Sequence, residues 1–197
     1  MDATLAAIDT VGVSAVSMRG VAKILGVDAK SLYNHVEGKD GLLDAVAEHI
    51  LGTITIPQRT GDTRADLRAI AHAFRASTLA HPEAATLILT RQLSSPASLA
   101  PTEAVLQVLD IAGFAPEESV PLLRMLVATL TGTLLRELQA GPAFGSADGI
   151  ADRLAALGNS GFPAVAMAAA RIARFDRAAE FEFTINAAID AVLARRP

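Results

Sequence analysis

The stretch of sequence that decides the fold is VSMRGVAKILGVDAKSLYNHV, residues 16–36. Ser17 can cap the helix that follows it, because its hydroxyl can accept a hydrogen bond from a free backbone N–H group. Gly26 can end that helix, since glycine adopts the left-handed backbone of a tight turn at little cost. Asp28 is placed to cap a further helix that runs to about Val36. Two short helices joined by a tight turn predict a helix-turn-helix.

The same stretch contains apolar residues that could form a small core between these two helices. We expect Val21, Leu25, Val27 and Leu32 to supply its side chains, and Ala22 to let the helices cross closely. Helical hairpins of this kind also occur inside ordinary all-α cores, so the spacing alone leaves that alternative open.

The second of these helices, the third of the chain, has an outer face of short polar, cationic and aromatic side chains. An amide side chain can pair with adenine, Ser and Lys can reach base edges or phosphates, an Ala methyl group can contact thymine, and a Tyr hydroxyl can bond a phosphate. A face exposed only to solvent would carry more Glu. We therefore predict that this face enters the major groove of DNA, with the candidate contacts Ala29, Lys30, Ser31, Tyr33, Asn34 and His35.

The rest of the chain consists of helix-length segments separated by clusters of Gly, Pro and Ser. A first helix is expected over residues 4–11, ending at Gly12, and a fourth over residues 39–51. Apolar residues make up 51% of the sequence, and Ala and Leu dominate, which favours helices. Only residues 54–56 look like a strand, and three residues cannot build a sheet. The predicted fold class is all-α, with about nine or ten helices.

We divide the chain into two predicted domains. Residues 1–52 form a three-helix DNA-binding domain together with the fourth, connecting helix, and residues 53–197 form a larger helical domain. Apolar residues lie on nearly every side of residues 115–139, so we expect that helix to be buried all round. An apolar stripe near the end of the chain could be core within one subunit or half of a two-fold interface; its residues are Phe181, Ile185, Ala188, Ile189 and Val192.

The composition excludes several classes of protein. Cysteine is absent, which rules out disulfides, thiolate metal sites and cysteine nucleophiles. The four histidines form no paired motif, and there is no glycine-rich phosphate loop or serine elbow, so we expect no enzyme and no bound metal or cofactor. The start of the chain lacks a secretion signal, and the charge-free run 125–135 is too short to span a bilayer. We expect a cytoplasmic protein without a membrane partner.

The charge of the chain argues mildly against binding to nucleic acid. The net charge is −4, and residues 1–52 contain four Lys or Arg against seven Asp or Glu. Proteins that bind DNA gain much of their affinity from cations placed at phosphates. Any DNA binding must therefore come from locally placed cations. The alternative is a helical interaction or scaffold protein whose helix-turn-helix does not bind DNA.

Residues 16–36, followed by KDGLLDA at residues 39–45, resemble the DNA-binding domain of TetR-family repressors. The resemblance implies that Arg19 reaches a base edge, that Ser17, Tyr33 and Lys39 hold phosphates, and that the other candidate contacts read the base sequence. Many family members carry a basic arm before this point, whereas this sequence begins at Met1. We therefore expect either fewer phosphate contacts or native residues that precede Met1.

Residues 175–193 resemble the last helix of the tetracycline-repressor-type carboxyl-terminal domain, which joins a dimer bundle in that family. The two resemblances together imply a homodimeric repressor that reads a palindromic operator and binds a small-molecule effector in its larger domain. The fourth helix would couple the effector site to the DNA-reading helices. Ile70 stands where the members that bind magnesium-complexed tetracycline carry an Asn. We therefore expect an uncharged, largely apolar effector instead of tetracycline.

The effector pocket is expected to draw on residues 53–140 and the loop after them. A Met or Phe at helical spacing is more often a core residue than a ligand contact, so an ordinary core role is the alternative for each candidate. The predicted lining comprises Ile54, His72, Phe74, Thr78, Thr86, Leu93, Leu106, Met125 and Thr129.

Overall fold

Eleven α-helices make up the computed structural model, which describes residues 1–91, 95–139 and 147–196 and has no strand in those ranges. The prediction of an all-α fold is confirmed, but the helix count exceeds the expected nine or ten. Elements as short as α6 are hard to separate by hydrophobic periodicity, which needs a longer window. In chain order the helices are α1 Asp2–Ala15, α2 Met18–Leu25, α3 Ala29–Tyr33, α4 Gly38–Gly52, α5 Thr63–Ala80, α6 Ala85–Thr90, α7 Pro96–Ile111, α8 Pro116–Gln139, α9 Ala147–Gly158, α10 Pro163–Ile172 and α11 Arg177–Leu193.

Helices α1, α2 and α4 surround a first hydrophobic core. Ile8, Val21, Val46 and Ile50 are each at most 2% exposed in it. The core continues into α6, which adds buried residues including Leu87. The amino-terminal helices are therefore packed on the helices that follow them, and the proposed domain boundary at residue 52 crosses a shared core.

Two of the predicted core residues of the helix-turn-helix lie outside this core. Leu25 is 41% exposed and Val27 is 43% exposed, whereas Val21 and Ala22 are buried and Leu32 is partly buried against the cluster. The prediction of a core between α2 and α3 was wrong in this respect. The core forms instead against α1 and α4, so the end of α2 and the turn after it are left outside.

The ends of α1 and α3 also differ from the predicted ends. Gly12 has a φ of 77° and kinks α1, but the chain returns to helical geometry and α1 ends at Ala15. Helix α3 ends at Tyr33, three residues before the predicted end. The N–H of Asn34 bonds the Ser31 carbonyl at 3.2 Å, so the chain tightens into a turn there.

A second hydrophobic core lies between α5, α7, α8 and α11. Phe181, Ile189 and Val192 of the last helix are each at most 1% exposed within it. The apolar stripe near the end of the chain is therefore core within the subunit, and the alternative that this stripe is itself the two-fold interface is not supported. Leu109 and Leu134 are the fully buried partners contributed by α7 and α8.

Helix α8 is not buried all round, contrary to the prediction. Its buried residues are Ser119, Leu122, Leu134 and Glu137, while Val127 is 50% exposed. Periodicity shows which residues are apolar but not what covers them, and one face of this helix is open in the single chain. By length and composition α8 is the one helix of the described ranges that could cross a membrane; core helices of globular proteins pass the same test.

Candidate DNA interface and ligand cavity

Two side-chain caps and one glycine hold the α2–α3 turn. The Ser17 hydroxyl accepts a hydrogen bond from the Gly20 N–H at 3.1 Å, and Asp28 Oδ1 accepts one from the Lys30 N–H at 2.7 Å. Gly26 has a φ of 67°, in the left-handed region where a side chain would be strained. Each cap satisfies a backbone donor that the helix itself cannot satisfy. The angle between α2 and α3 is thus fixed by local contacts.

The predicted DNA contacts lie on the surface of this unit. Tyr33 is 58% exposed, so it does not pack beneath α3. The exposed members of the predicted set are Ser17, Arg19, Lys30, Ser31, Tyr33, Asn34, His35 and Lys39, and Ala29 is half-buried. Their contact with DNA stays a prediction, but each exposed side chain is accessible to a duplex.

Two of these residues have structural bonds that leave donors free. The Ser17 hydroxyl accepts a bond as a cap, so its own O–H can still donate to a phosphate. Lys39 Nζ donates to the Ser14 carbonyl at 3.1 Å, which ties the start of α4 to the chain before α2. An ammonium group has three hydrogens, so Lys39 retains donors as well.

The acidic residues of this segment are mostly engaged by other groups. Five of the seven acidic residues in the first 52 residues have partners: Asp2 with His49 at 2.6 Å, Asp9 with His81 at 3.0 Å, Asp28 as the α3 cap, and Asp40 and Asp44 with Arg91. The four cations of the same segment, in contrast, are all exposed. These carboxylates are therefore held on partners within the chain, whereas the cations are accessible to a duplex.

A cavity of about 720 Å³ lies between the carboxyl-terminal part of α4 and helices α5 to α8. Its walls are mainly apolar, with a few polar groups, as is typical of small-molecule sites. The residues that line it are Leu51, Ile70, Phe74, Ile88, Leu89, Arg91, Ser98, Pro101, Thr102, Val105, Leu123, Val127, Leu130 and Thr131.

A smaller and wholly apolar pocket adjoins this cavity. It shares Ile70, Val105 and Leu130 with the cavity and reaches Ile185 and Ile189 of α11. The apolar space thus extends from α4 toward the second hydrophobic core. A ligand group in this smaller, inner pocket would contact only apolar side chains.

Phe74 is the predicted ligand contact that lines the cavity. His72 instead pairs with Glu182, its Nε2 lying 2.9 Å from Oε1 of that carboxylate. Thr78 is fully buried, and its hydroxyl donates a hydrogen bond to the Phe74 carbonyl at 2.9 Å. Met125 lines a separate cleft beside Phe114. Leu93 lies outside the described residues, and the remaining predicted contacts that are not part of the lining are Ile54, Thr86, Leu106 and Thr129.

Arg91 joins the cavity wall to α4. It lines the cavity, and its guanidinium donates to the Asp44 carboxylate, to the Asp40 carboxylate at 3.0 Å and to the Asp40 carbonyl at 3.2 Å. The hydrogen bond to Asp44 raises the pKa of Arg91 above its ordinary value, although burial works in the opposite direction. No sequence pattern predicts this link, because its partners lie 47 and 51 positions away along the chain.

A metal site is not evident in the described ranges, where no three His, Asp or Glu side chains converge. The polar groups of the cavity are one guanidinium and several hydroxyls, which suit an organic ligand better than a cation. The cavity and the capped helix-turn-helix together are typical of a DNA-binding regulator that senses a small molecule.

Comparison with known families identifies the family within this class of regulator. Residues 1–46 match the family described as bacterial regulatory proteins, tetR family, and residues 57–196 match the tetracyclin repressor-like carboxyl-terminal domain. The chain belongs to the TetR family of helix-turn-helix transcriptional regulators, a family of transcription factors and not of enzymes.

Individual relatives agree with this assignment. An HTH-type transcriptional regulator of Saccharopolyspora erythraea is 38% identical over 115 residues, covering 58% of this chain and 49% of the relative, so the match spans about half the length of that protein. The class A tetracycline repressor protein from transposon 1721 of Escherichia coli is 29% identical over 98% of this chain and 88% of its own. The structure of the Streptomyces coelicolor TetR family protein ActR in complex with (S)-DNPA has a TM-score of 0.87 at 24% identity, covering 100% of this chain and 96% of ActR, which shows a shared fold.

Proposed function

We propose that this protein is a homodimeric transcriptional repressor that binds a palindromic operator through α2 and α3 and is released by a small, largely apolar ligand. In this proposal residues 1–52 are the DNA-binding domain and residues 53–197 bind the ligand and form the dimer, in the cytoplasm. The observation that carries it is Arg91, which belongs to the wall of the cavity and to the contacts of α4 at once. A ligand in the cavity therefore has a direct route to the DNA-reading helices.

The capped α2–α3 unit supports operator binding. Arg19 is exposed near the start of α2, and its planar guanidinium can donate two bonds to a guanine. Tyr33 and Lys39 flank the recognition face with groups that bond phosphates. Asn34 and His35 lie in the turn after α3 and would read bases from there.

The cavity supports a largely apolar ligand. The one charged residue of its lining within the described part of the chain is Arg91, and its charge is already compensated by Asp40 and Asp44. Burial of an uncompensated ligand charge there would be costly, whereas apolar surface would be buried favourably. Ser98, Thr102 and Thr131 offer hydroxyl groups that would orient the ligand.

The route from ligand to DNA runs through α4. Arg91 sits at the end of α6, and the aspartates that it holds lie in the first two turns of α4, beside Lys39. A ligand whose body displaces Arg91 from the cavity wall would break these bonds and release this part of α4. The recognition helices would then lose their spacing for the major groove, and ligand and DNA would oppose each other reciprocally.

Exposed apolar side chains support the homodimer. Phe183 of α11 is 75% exposed and Met167 of α10 is 86% exposed, and neither of them lines the ligand cavity. Large exposed apolar groups commonly mark an interface. Two copies that cover these faces would also give two recognition helices, which a palindrome requires.

Fluorescence anisotropy with duplexes from the region that flanks the gene tests the proposal. We expect preference for one palindromic site over a random duplex, with affinity that falls as salt rises. Arg19→Glu should abolish the preference and leave the dimer intact. Arg174→Glu makes the same charge change at an exposed site of the larger domain and should leave operator affinity nearly unchanged.

Three results would contradict the proposal. One is equal binding to operator and random duplex, which would favour a scaffold role for the helix-turn-helix. Another is an equal loss of operator affinity in Arg19→Glu and Arg174→Glu, which would mean that only the net charge of the protein matters. The third is retention of the operator by every compound that fills the cavity and raises the melting temperature.

A further inference from the structure

A second cleft, of about 310 Å³, adjoins the ligand cavity at Ile70. Its other walls are residues 56–59 of the connection between α4 and α5, Asp66 of α5, and Ala104 and Gln107 of α7. Ile70 also lines the inner apolar pocket. Ile70 therefore forms a common wall of the inner apolar pocket, the main cavity and the polar cleft.

The carboxylate of this cleft is occupied by its own loop. Asp66 is 6% exposed and accepts hydrogen bonds from the Thr60 N–H at 2.8 Å, the Thr60 hydroxyl at 2.7 Å and the Gly61 N–H at 3.2 Å. Burial raises the pKa of Asp66, but these bonds and the positive charge of Arg59 outweigh it, so the pKa lies below its ordinary value. The bonds also fix the loop that carries Arg59.

Arg59 supplies the positive charge of the cleft, and this charge acts on Asp66 without a hydrogen bond between the two side chains. Within the described part of the chain its guanidinium makes no hydrogen bond or salt bridge, because Asp66 directs its oxygens at Thr60 and Gly61. Gln58 adds an amide beside it. The main cavity differs, since its single guanidinium, that of Arg91, is held by two aspartates. An anionic group on a ligand would therefore find its partner in the cleft and not in the cavity.

We propose that this cleft holds the anionic end of the ligand, with Arg59 as its partner, while the apolar body passes Ile70 into the cavity. The ligand class is an amphipathic monoanion, such as an apolar ring system or chain that ends in a carboxylate. This inference rests on the proposed function and narrows it. It departs from the expected uncharged effector at one end of the molecule only.

A matched pair of fluorescent probes tests the inference on the full chain. Pyrenebutyrate and pyrenebutanol share an apolar body and differ in charge at the end. The guanidinium is exposed, so solvent screens the pair, and we expect wild-type protein to bind the acid about two- to fivefold more tightly than the alcohol. Arg59→Gln should remove this preference without changing the affinity for pyrenebutanol.

Two controls locate the binding. Arg64→Gln removes the same charge from an exposed arginine that pairs with Asp190 and does not line the cleft, and it should leave the preference intact. Val105→Trp fills the shared wall of the cavity and its inner pocket and should weaken both probes equally.

The outcomes separate this inference from the proposed function. If pyrenebutanol binds and pyrenebutyrate gains nothing, or if the preference for the acid survives in Arg59→Gln, the anionic subsite is wrong and the apolar cavity stands. If neither probe binds, or if Val105→Trp weakens neither, the ligand cavity itself is wrong and this inference fails with it. Loss of the preference in Arg59→Gln alone establishes the subsite.

Discussion

The link between Arg91 and α4 can be cut without touching the cavity. Asp44→Asn removes the carboxylate that Arg91 bonds, and Asp44 does not line the cavity, whereas Arg91 does. We expect operator affinity of the Asp44→Asn protein to fall in the absence of ligand, because the variant resembles the released state of α4. A ligand should then weaken operator binding of this variant less than it weakens that of the wild type, and by the factor that the substitution has already cost. The reason is that the release of α4 has partly occurred before the ligand binds.

The size of the effect follows from the exposure of the three side chains. The Arg91 side chain is 23% exposed, that of Asp44 is 46% exposed and that of Asp40 is 89% exposed. Asp40 is screened by water almost completely, so most of the link comes from Asp44, and this pair is itself partly screened. A contribution of about 0.5–1.4 kcal/mol corresponds to about a two- to tenfold change in operator affinity.

A double-mutant cycle read by fluorescence anisotropy measures this coupling. Arg91→Gln, Asp44→Asn and the double variant should lose operator affinity by similar factors, because each removes the same link. Asp110→Asn, on the exposed face of α7, is the control for the loss of one carboxylate. The reasoning is refuted if Asp44→Asn binds the operator and releases it on ligand addition as the wild type does, or if the effects of the two single variants add in full.

Three further predictions concern the DNA interface, the dimer and the cleft. Lys39→Met should reduce the steepness of the salt dependence of operator affinity by about 0.9 per subunit, because one phosphate contact is lost from each; an unchanged slope would exclude the contact. Phe183→Glu should shift the protein from dimer to monomer in analytical ultracentrifugation while its circular dichroism stays helical, and a dimer of undiminished stability would contradict the proposed interface. Asp66→Asn should lower the melting temperature at neutral pH. The stabilisation by the ionised Asp66 is complete above the pKa of an unfolded aspartate, about 3.9, and is lost as the pH falls through its lower folded-state pKa. Wild type and Asp66→Asn should therefore converge in acid, and a difference that is independent of pH would contradict this account.

The helix-turn-helix could be predicted because its determinants are local. Ser17, Gly26 and Asp28 act on backbone groups no more than a few residues away, so their type and spacing are readable in the sequence. The exact end of α3 was missed because a tightened last turn involves ordinary backbone bonds that no residue type announces. The exposure of Leu25 and Val27 was missed since hydrophobicity alone does not show which helix will cover a residue.

The ligand site was predicted less well because its contacts are distant in sequence. His72 was expected in the cavity, but its partner is Glu182, and a pair 110 positions apart has no sequence signature. Residues 115–139 were expected to be buried all round, yet apolar residues in the wall of an open cavity have the same sequence pattern as a core face. The general position of the cavity, between the helices that follow α4, agrees with the prediction, whereas of its lining only Phe74 was foreseen.

The acidic residues of the first 52 positions argue against nonspecific binding to DNA. They also argue for regulation of DNA binding by a ligand. Asp9 bonds His81 at the end of α5, and Asp40 and Asp44 bond Arg91 at the end of α6. Within the described part of the chain these two polar links, one through α1 and one through α4, add to the shared hydrophobic core that attaches the amino-terminal helices to the larger domain. Because only the Arg91 link faces the cavity, a ligand that displaces it would leave the His81 link in place. The recognition helices would then turn about α1. Such a turn changes their spacing with a smaller movement than a displacement of all the amino-terminal helices would need.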